Sequence, residues 1–104
     1  MDTHALIKIK EFKKELEDAN VDPDRVVFFG SRTTDNYRDD SDIDLLVVSK
    51  KFRGVNVLKR GVMLYKHWNL DYPVDFICLT PEEFNERKNR FSIVSEALVA
   101  GVVV

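Results

Sequence analysis

Two short apolar runs, Val26-Val27-Phe28-Phe29 and Leu45-Leu46-Val47-Val48, enclose a polar stretch that opens on Gly30-Ser31 and closes on Asp42-Ile43-Asp44. Runs of that length read as strands, and the Gly-Ser pair after the first predicts a sharp turn into a short helical segment. Such a turn leaves backbone N–H groups unpaired, which makes a seat for an anion. Ten residues lie between Ser31 and Asp42. Asp42 and Asp44 are two residues apart and therefore share one face of a strand, roughly 6–7 Å from each other. Two carboxylates beside a phosphate cradle suit a divalent metal bound together with a nucleotide.

The rest of the chain divides by periodicity. Leu6, Ile9, Phe12, Leu16 and Ala19 recur every three or four positions and predict an amphipathic helix over 3–19. Asn20 and Asp22-Pro23 end it, because the residue before a proline is pushed out of helical geometry. Strands follow over 25–29 and 42–48, with a helical turn from Ser31 and a loop between them. Residues 49–54 form a basic connection, and Leu58, Val62, Tyr65 and Trp68 predict a helix within 55–69 despite Gly61. A third strand spans 74–79 and is nearly all apolar, as expected of a strand covered on both faces. Thr80-Pro81-Glu82-Glu83 is a helix-opening signature, with a capping threonine and proline at the first helical position, and predicts a helix over 81–89. A last helix is expected over 92–100, stopped by Gly101, with a short strand at 102–104.

With 104 residues the chain is large enough for one modest core and too small for two. A single domain over 1–104 is expected, with no added domain to select a base or an RNA end. Sixteen basic and eighteen acidic side chains give a formal charge of -2, so no general basic field is available to hold a long nucleic acid. The single cysteine, Cys78, lies in an apolar run and reads as a packed, reduced thiol. No apolar stretch approaches the roughly 20 residues of a membrane span, and the first residues lack a secretion signal, so a cytoplasmic protein is expected.

Asp75 is the lone carboxylate in the third strand and needs a reason. If that strand neighbours the second, Asp75 can converge with Asp42 and Asp44; the bland alternative is a cap on the turn after Pro73. Phosphoryl transfer with two metals about 3.5–4 Å apart needs oxygen ligands of this kind. Ser31 can cap the helical turn and hold terminal phosphates through its hydroxyl and N–H. Arg32 has two readings, reaching a phosphate or pairing with the aspartates of its own loop. Asp39 and Asp40 read as solvated charges. His4 and His67 are isolated, without the spacing of a zinc site. Tyr65 and Trp68 read as core or partner contacts.

Gly30-Ser31, the ten-residue interval, Asp42-Ile43-Asp44 and then Asp75 closely resemble the minimal nucleotidyltransferases of the DNA polymerase beta superfamily. The similarity extends through Leu79-Thr80-Pro81-Glu82-Glu83-Phe84 and the stretch from Glu96 to Val104, and so covers nearly the whole chain. The resemblance implies an α+β fold with a small mixed sheet of three or four strands flanked by helices. It implies two magnesium ions held by Asp42, Asp44 and Asp75 as the catalytic and metal residues, with Gly30, Ser31 and Arg32 at the nucleotide. The implied reaction moves a nucleoside monophosphate, AMP from ATP, to a hydroxyl. Short proteins of this kind are often antitoxins that silence a helical HEPN-type ribonuclease toxin by adding AMP to one of its tyrosines. Alternatives from the same resemblance are a binding subunit that occludes its partner without chemistry, and a transferase acting on an RNA end or a small molecule. The chain departs from the family at Thr33-Thr34-Asp35, where Ala-x-Gly is common, so a different loop path is expected there.

Overall fold

The computed structural model describes residues 1–90 and 92–104. Among the described residues four helices, four strands and two 3-10 turns follow in the order α1 (Thr3–Asp18), β1 (Pro23–Phe29), a turn at Ser31–Thr33, β2 (Ile43–Ser49), a turn at Lys50–Phe52, α2 (Val57–Tyr65), β3 (Val74–Leu79), α3 (Pro81–Arg87), α4 (Ile93–Ala100) and β4 (Val102–Val103). The sheet order is β3-β2-β1-β4. β1 runs antiparallel to β2 and to β4, whereas β2 and β3 are parallel, so the sheet is mixed. The expected α+β architecture is present.

Alternation of side chains divides the sheet into two apolar layers. On one face Val26, Phe28, Leu45 and Val47 meet Ala5, Ile9, Phe12 and Leu16 of α1, with Phe52 and Leu64 closing the ends. On the other, Val27, Leu46, Val48 and Leu79 meet Phe84 of α3 and Val94 of α4. Two buried faces explain why β2 is apolar at almost every position. Truncating a side chain such as Leu16 to alanine would cost about 2–5 kcal/mol, as usual for a buried leucine.

β3 differs from its expectation. It is an edge strand, and Val74, Phe76 and Ile77 are only partly buried. Its outer side is covered by α2 instead of another strand: the Tyr65 hydroxyl donates to the Val74 carbonyl at 2.9 Å and Arg60 Nη1 to the Cys78 carbonyl at 3.2 Å. A helix laid on the edge occupies backbone groups that would otherwise recruit a foreign strand. α2 is also shorter than its apolar period suggested. Asn56 caps its start, and past Tyr65 the chain folds back, with Trp68 donating its indole N–H to the Tyr72 carbonyl at 2.8 Å.

Capping sets the other boundaries. Thr80 and Glu83 close the expected capping box of α3, which ends at Arg87, and Ser92 with Ser95 does the same for α4. Gly101 then lets the chain drop onto β1: a β-carbon there would lie 2.7 Å from Val27 Cγ1 and 3.0 Å from the Phe28 carbonyl oxygen. No helix among the described residues is long and apolar enough to cross a membrane.

Candidate active site

The parallel pairing of β2 with β3 sets Asp44 directly opposite Asp75. By alternation both belong to the face that carries Leu46, Val48 and Leu79, the side covered by α3 and α4. Asp42 lies just before β2, exposed at its entrance, so the two members of Asp42-Ile43-Asp44 do not both sit within the strand as expected. The reason is local: residues 41 and 42 are still leaving the loop, and the ladder with β3 begins at Ile43 and Val74.

Asp44 is half-buried, and burial pushes its carboxyl pKa up, helped by the negative charges of Asp75 and Asp42. Asp44 thus feels the charge of both neighbours, Asp75 across the ladder and Asp42 two residues before it. Asp75 itself is exposed at the sheet edge. Among the described residues, no group of three or more His, Cys, Asp or Glu side chains forms a ready-made metal cage.

Gly30 ends β1 next to this cluster. Its φ of 87° lies in the left-handed region, and a β-carbon there would run into the Asp44 carboxylate, with Asp44 Cγ at 3.0 Å. Only glycine satisfies both conditions. Ser31 follows at an exposed position and opens the 3-10 turn, so its N–H and that of Arg32 belong to the orphan donors of a helical start. Beside Gly30 is a hollow of about 260 Å³ lined by Phe29, Ile93, Glu96, Ala97 and Ala100.

The loop at 33–35 uses no left-handed backbone. The only non-glycine residues with positive φ among those described are Asn20 and Asp22. Thr33 and Thr34 instead close the turn with their hydroxyls, donating to the carbonyls of Gly30 at 2.6 Å and Ser31 at 2.7 Å.

Arg32 is placed by neither of its two sequence readings. It is 3% exposed, and Nη1 donates to Asp2 Oδ2 at 2.6 Å, Nε to the Ser41 carbonyl at 2.7 Å and Nη2 to the Asp39 carbonyl at 2.9 Å. The rings of Tyr37 and Tyr72 lie 5.2 and 4.9 Å from its guanidinium carbon. The side chains of Asp39 and Asp40 remain exposed at the surface. Arg32 thus ties the N-cap of α1 to the residue before Asp42 and holds this loop. Burial disfavours the charged form of Asp2, but the Ala5 N–H, the hydrogen bond from Arg32 and the guanidinium charge outweigh it and hold the carboxyl below its ordinary range.

Asp2 and Glu96 were not singled out from sequence. Asp2 precedes the helical period of α1 and carries an N-cap signal that could have been read. Glu96 lies at the hollow only because α4 packs back across β1, which local sequence does not encode.

This arrangement, a glycine-serine turn against a strand-borne aspartate pair, defines a nucleotidyl-transferring class of domain. A family profile described as a nucleotidyltransferase domain matches residues 9–100, and the chain belongs to that family. A Methanocaldococcus jannaschii protein named "putative protein adenylyltransferase" is 31% identical over 67 residues, covering 64% of this chain and 68% of that protein. Among solved structures, one described as a "putative nucleotidyltransferase" from Sulfolobus solfataricus superposes with a TM-score of 0.68 at 28% identity, over 98% of this chain and 80% of that one. The fold is that of the polymerase beta-like nucleotidyltransferases.

Proposed function

We propose that the protein is a metal-dependent adenylyltransferase that moves AMP from ATP to a tyrosine hydroxyl of a helical, HEPN-type partner, as the antitoxin of a toxin–antitoxin pair. The observation that carries the transfer chemistry is the facing of Asp44 and Asp75 across β2 and β3 beside the Gly30-Ser31 turn. The adenylyl group and the protein acceptor are supported by the name of the Methanocaldococcus relative. The HEPN partner and the antitoxin role rest on the family resemblance of the motifs.

The donor set fits magnesium. Three carboxylates offer hard oxygen ligands, and the raised pKa of Asp44 reflects burial and repulsion that a cation would relieve. When bound by Asp42, Asp44 and Asp75, two such ions would supply charge neutralisation at the reacting phosphate.

The residues of the chain then divide the work. Gly30 and Ser31 bind the outer phosphates through the open N–H groups of the turn and the Ser31 hydroxyl. Asp75, at the exposed edge, orients the acceptor hydroxyl and takes its proton. The acceptor oxygen bonds to the α-phosphorus as the bond from that phosphorus to the α–β bridging oxygen breaks, and pyrophosphate leaves from the turn. Arg32, Asp2 and the two tyrosines keep the loop that delivers Asp42 in one geometry.

The decisive experiment incubates the protein and its cognate HEPN-type partner with α-labelled ATP and magnesium, then maps the label. Transfer to a partner tyrosine that disappears in Asp42→Asn and Asp44→Asn is expected. Label on RNA or a small molecule alone would replace the acceptor. Full inhibition of the partner without any gain in mass would replace catalysis with occlusion.

A further inference from the structure

We infer that the outer face of α2, together with the edge of β3, docks an acidic amphipathic helix of a protein partner. On this nine-residue helix Val57, Leu58, Val62 and Tyr65 are 63%, 87%, 66% and 51% exposed. Leu58, Val62 and Tyr65, three and four positions apart, form one stripe turned away from the buried Arg60 and Leu64, and Val57 opens the helix beside it. The stripe borders a groove of about 360 Å³ walled by Leu58, Gly61, Phe76, Ile77 and Arg87. Gly61 widens it, since a β-carbon there would meet nothing nearer than the Tyr65 ring at 3.7 Å.

Charge selects the occupant. Between Leu45 and Leu70 the chain has Lys50, Lys51, Arg53, Lys59, Arg60 and Lys66 and no acidic residue, although the whole molecule carries -2 and the exposed Asp71 and Asp75 stand at the start of β3. Lys50, Arg53 and Arg60 are paired with Asp22, Glu82 and Glu83. Among the described residues Lys59, Lys66 and Arg87 take part in no ion pair. At 100° per residue, Lys59 and Lys66 run along one border of the stripe, while Arg87 stands on the far wall of the groove. An apolar stripe between cationic rims is complementary to a helix with leucine-like residues on one face and Glu or Asp beside them.

Other occupants fit less well. An added strand is opposed by the Tyr65 and Arg60 side chains, which already hold two outer carbonyls of β3. A bilayer seats a convex apolar face, whereas this one is grooved. The groove runs along the strand that carries Asp75, so a docked helix would stand next to the reacting edge. The inference does not depend on turnover.

The test uses two synthetic helical peptides with identical leucines at i, i+3, i+4 and i+7, one flanked by glutamates and one by lysines, with binding read by fluorescence anisotropy. The glutamate peptide should bind at least about tenfold tighter at low salt and lose affinity as salt rises. Leu58→Ser with Val62→Ser should abolish binding, Lys59→Glu with Lys66→Glu should invert the preference, and Asp44→Asn should leave it unchanged, all with native circular dichroism. Equal binding of the peptides, binding that survives the Leu58/Val62 variant, or no binding would overturn the inference. So would self-association of the protein, or cosedimentation with anionic phosphatidylserine vesicles, that the Leu58/Val62 variant abolishes while peptide binding is absent.

Discussion

The carboxylate of Asp44 lies over the α-carbon of Gly30, in the space that any other residue's β-carbon would fill. The end of one strand and the start of its antiparallel neighbour are thereby locked into a single site. Gly30→Ala should displace the Asp44 side chain and force a left-handed φ on a residue with a side chain, costing about 1–3 kcal/mol. Urea denaturation reads the stability change. Transfer should fall at least about a hundredfold, as expected when reacting groups are misplaced by about an ångström. A variant with wild-type transfer would show that the contact has no part in the site.

Asp44→Asn should abolish transfer and yet stabilise the protein at neutral pH without divalent cations. The sign follows from the raised pKa: between the ordinary carboxylate value and the raised one the folded state binds more protons, so stability falls as pH rises through that window. Removing the charge removes that penalty. Thermal melts of both proteins at pH 7 check it, and adding magnesium should raise the wild-type midpoint much more than the variant's. At a hundredfold excess over Kd, the gain for wild type would be about 2.7 kcal/mol.

Arg32→Ala leaves Asp2 buried without its partner and should cost about 3–5 kcal/mol. Arg32→Lys keeps the charge and gives up the fork that holds the carbonyls of Asp39 and Ser41. The lysine variant is expected to fold with a smaller loss and to show a lower kcat in transfer. Unchanged kinetics in the lysine variant would make Arg32 a stability residue only.

In strong acid the Asp2–Arg32 pair should weaken. The Asp2 carboxyl is held below 3.8, so its contribution is complete above that value and is lost as pH falls through the lowered folded pKa. Glu83, lowered first by its hydrogen bond from Arg60, behaves in the same way below 4.5. Asp2→Asn should flatten the acid limb of a stability-against-pH curve, and an unaltered limb would assign acid unfolding to other groups.

The Cys78 thiol is pushed up to about 12 by burial, with the Arg60 charge working weakly against it. It should resist a thiol-specific reagent in the native state and react fully in denaturant. Rapid native labelling would show that β3 opens from its edge.

Much of this was legible locally. The helices over 3–18 and 81–87 follow from apolar period and capping residues, and the three main strands follow from their apolar runs, because those signals act between residues a few positions apart. The Gly30-Ser31 turn and the aspartates were visible as a spacing. The role of Arg32 is not legible locally because its partner Asp2 is thirty positions away, and nothing near Arg32 in sequence reports that it is buried. The apolar composition of β3 reads as a covered strand because it cannot say whether a strand or α2 lies beside it.

Residue order alone thus determined which segments are helical or extended, and that carboxylates follow a glycine-serine turn at a set interval, since short-range sterics and side-chain period decide both. Only the tertiary structure decided that β3 pairs parallel to β2 with Asp75 facing Asp44, that Arg32 is spent on holding a loop, and that α2 leaves an apolar stripe uncovered. These depend on which distant surfaces exclude water together, a property of the packed sheet and not of any stretch of chain within it.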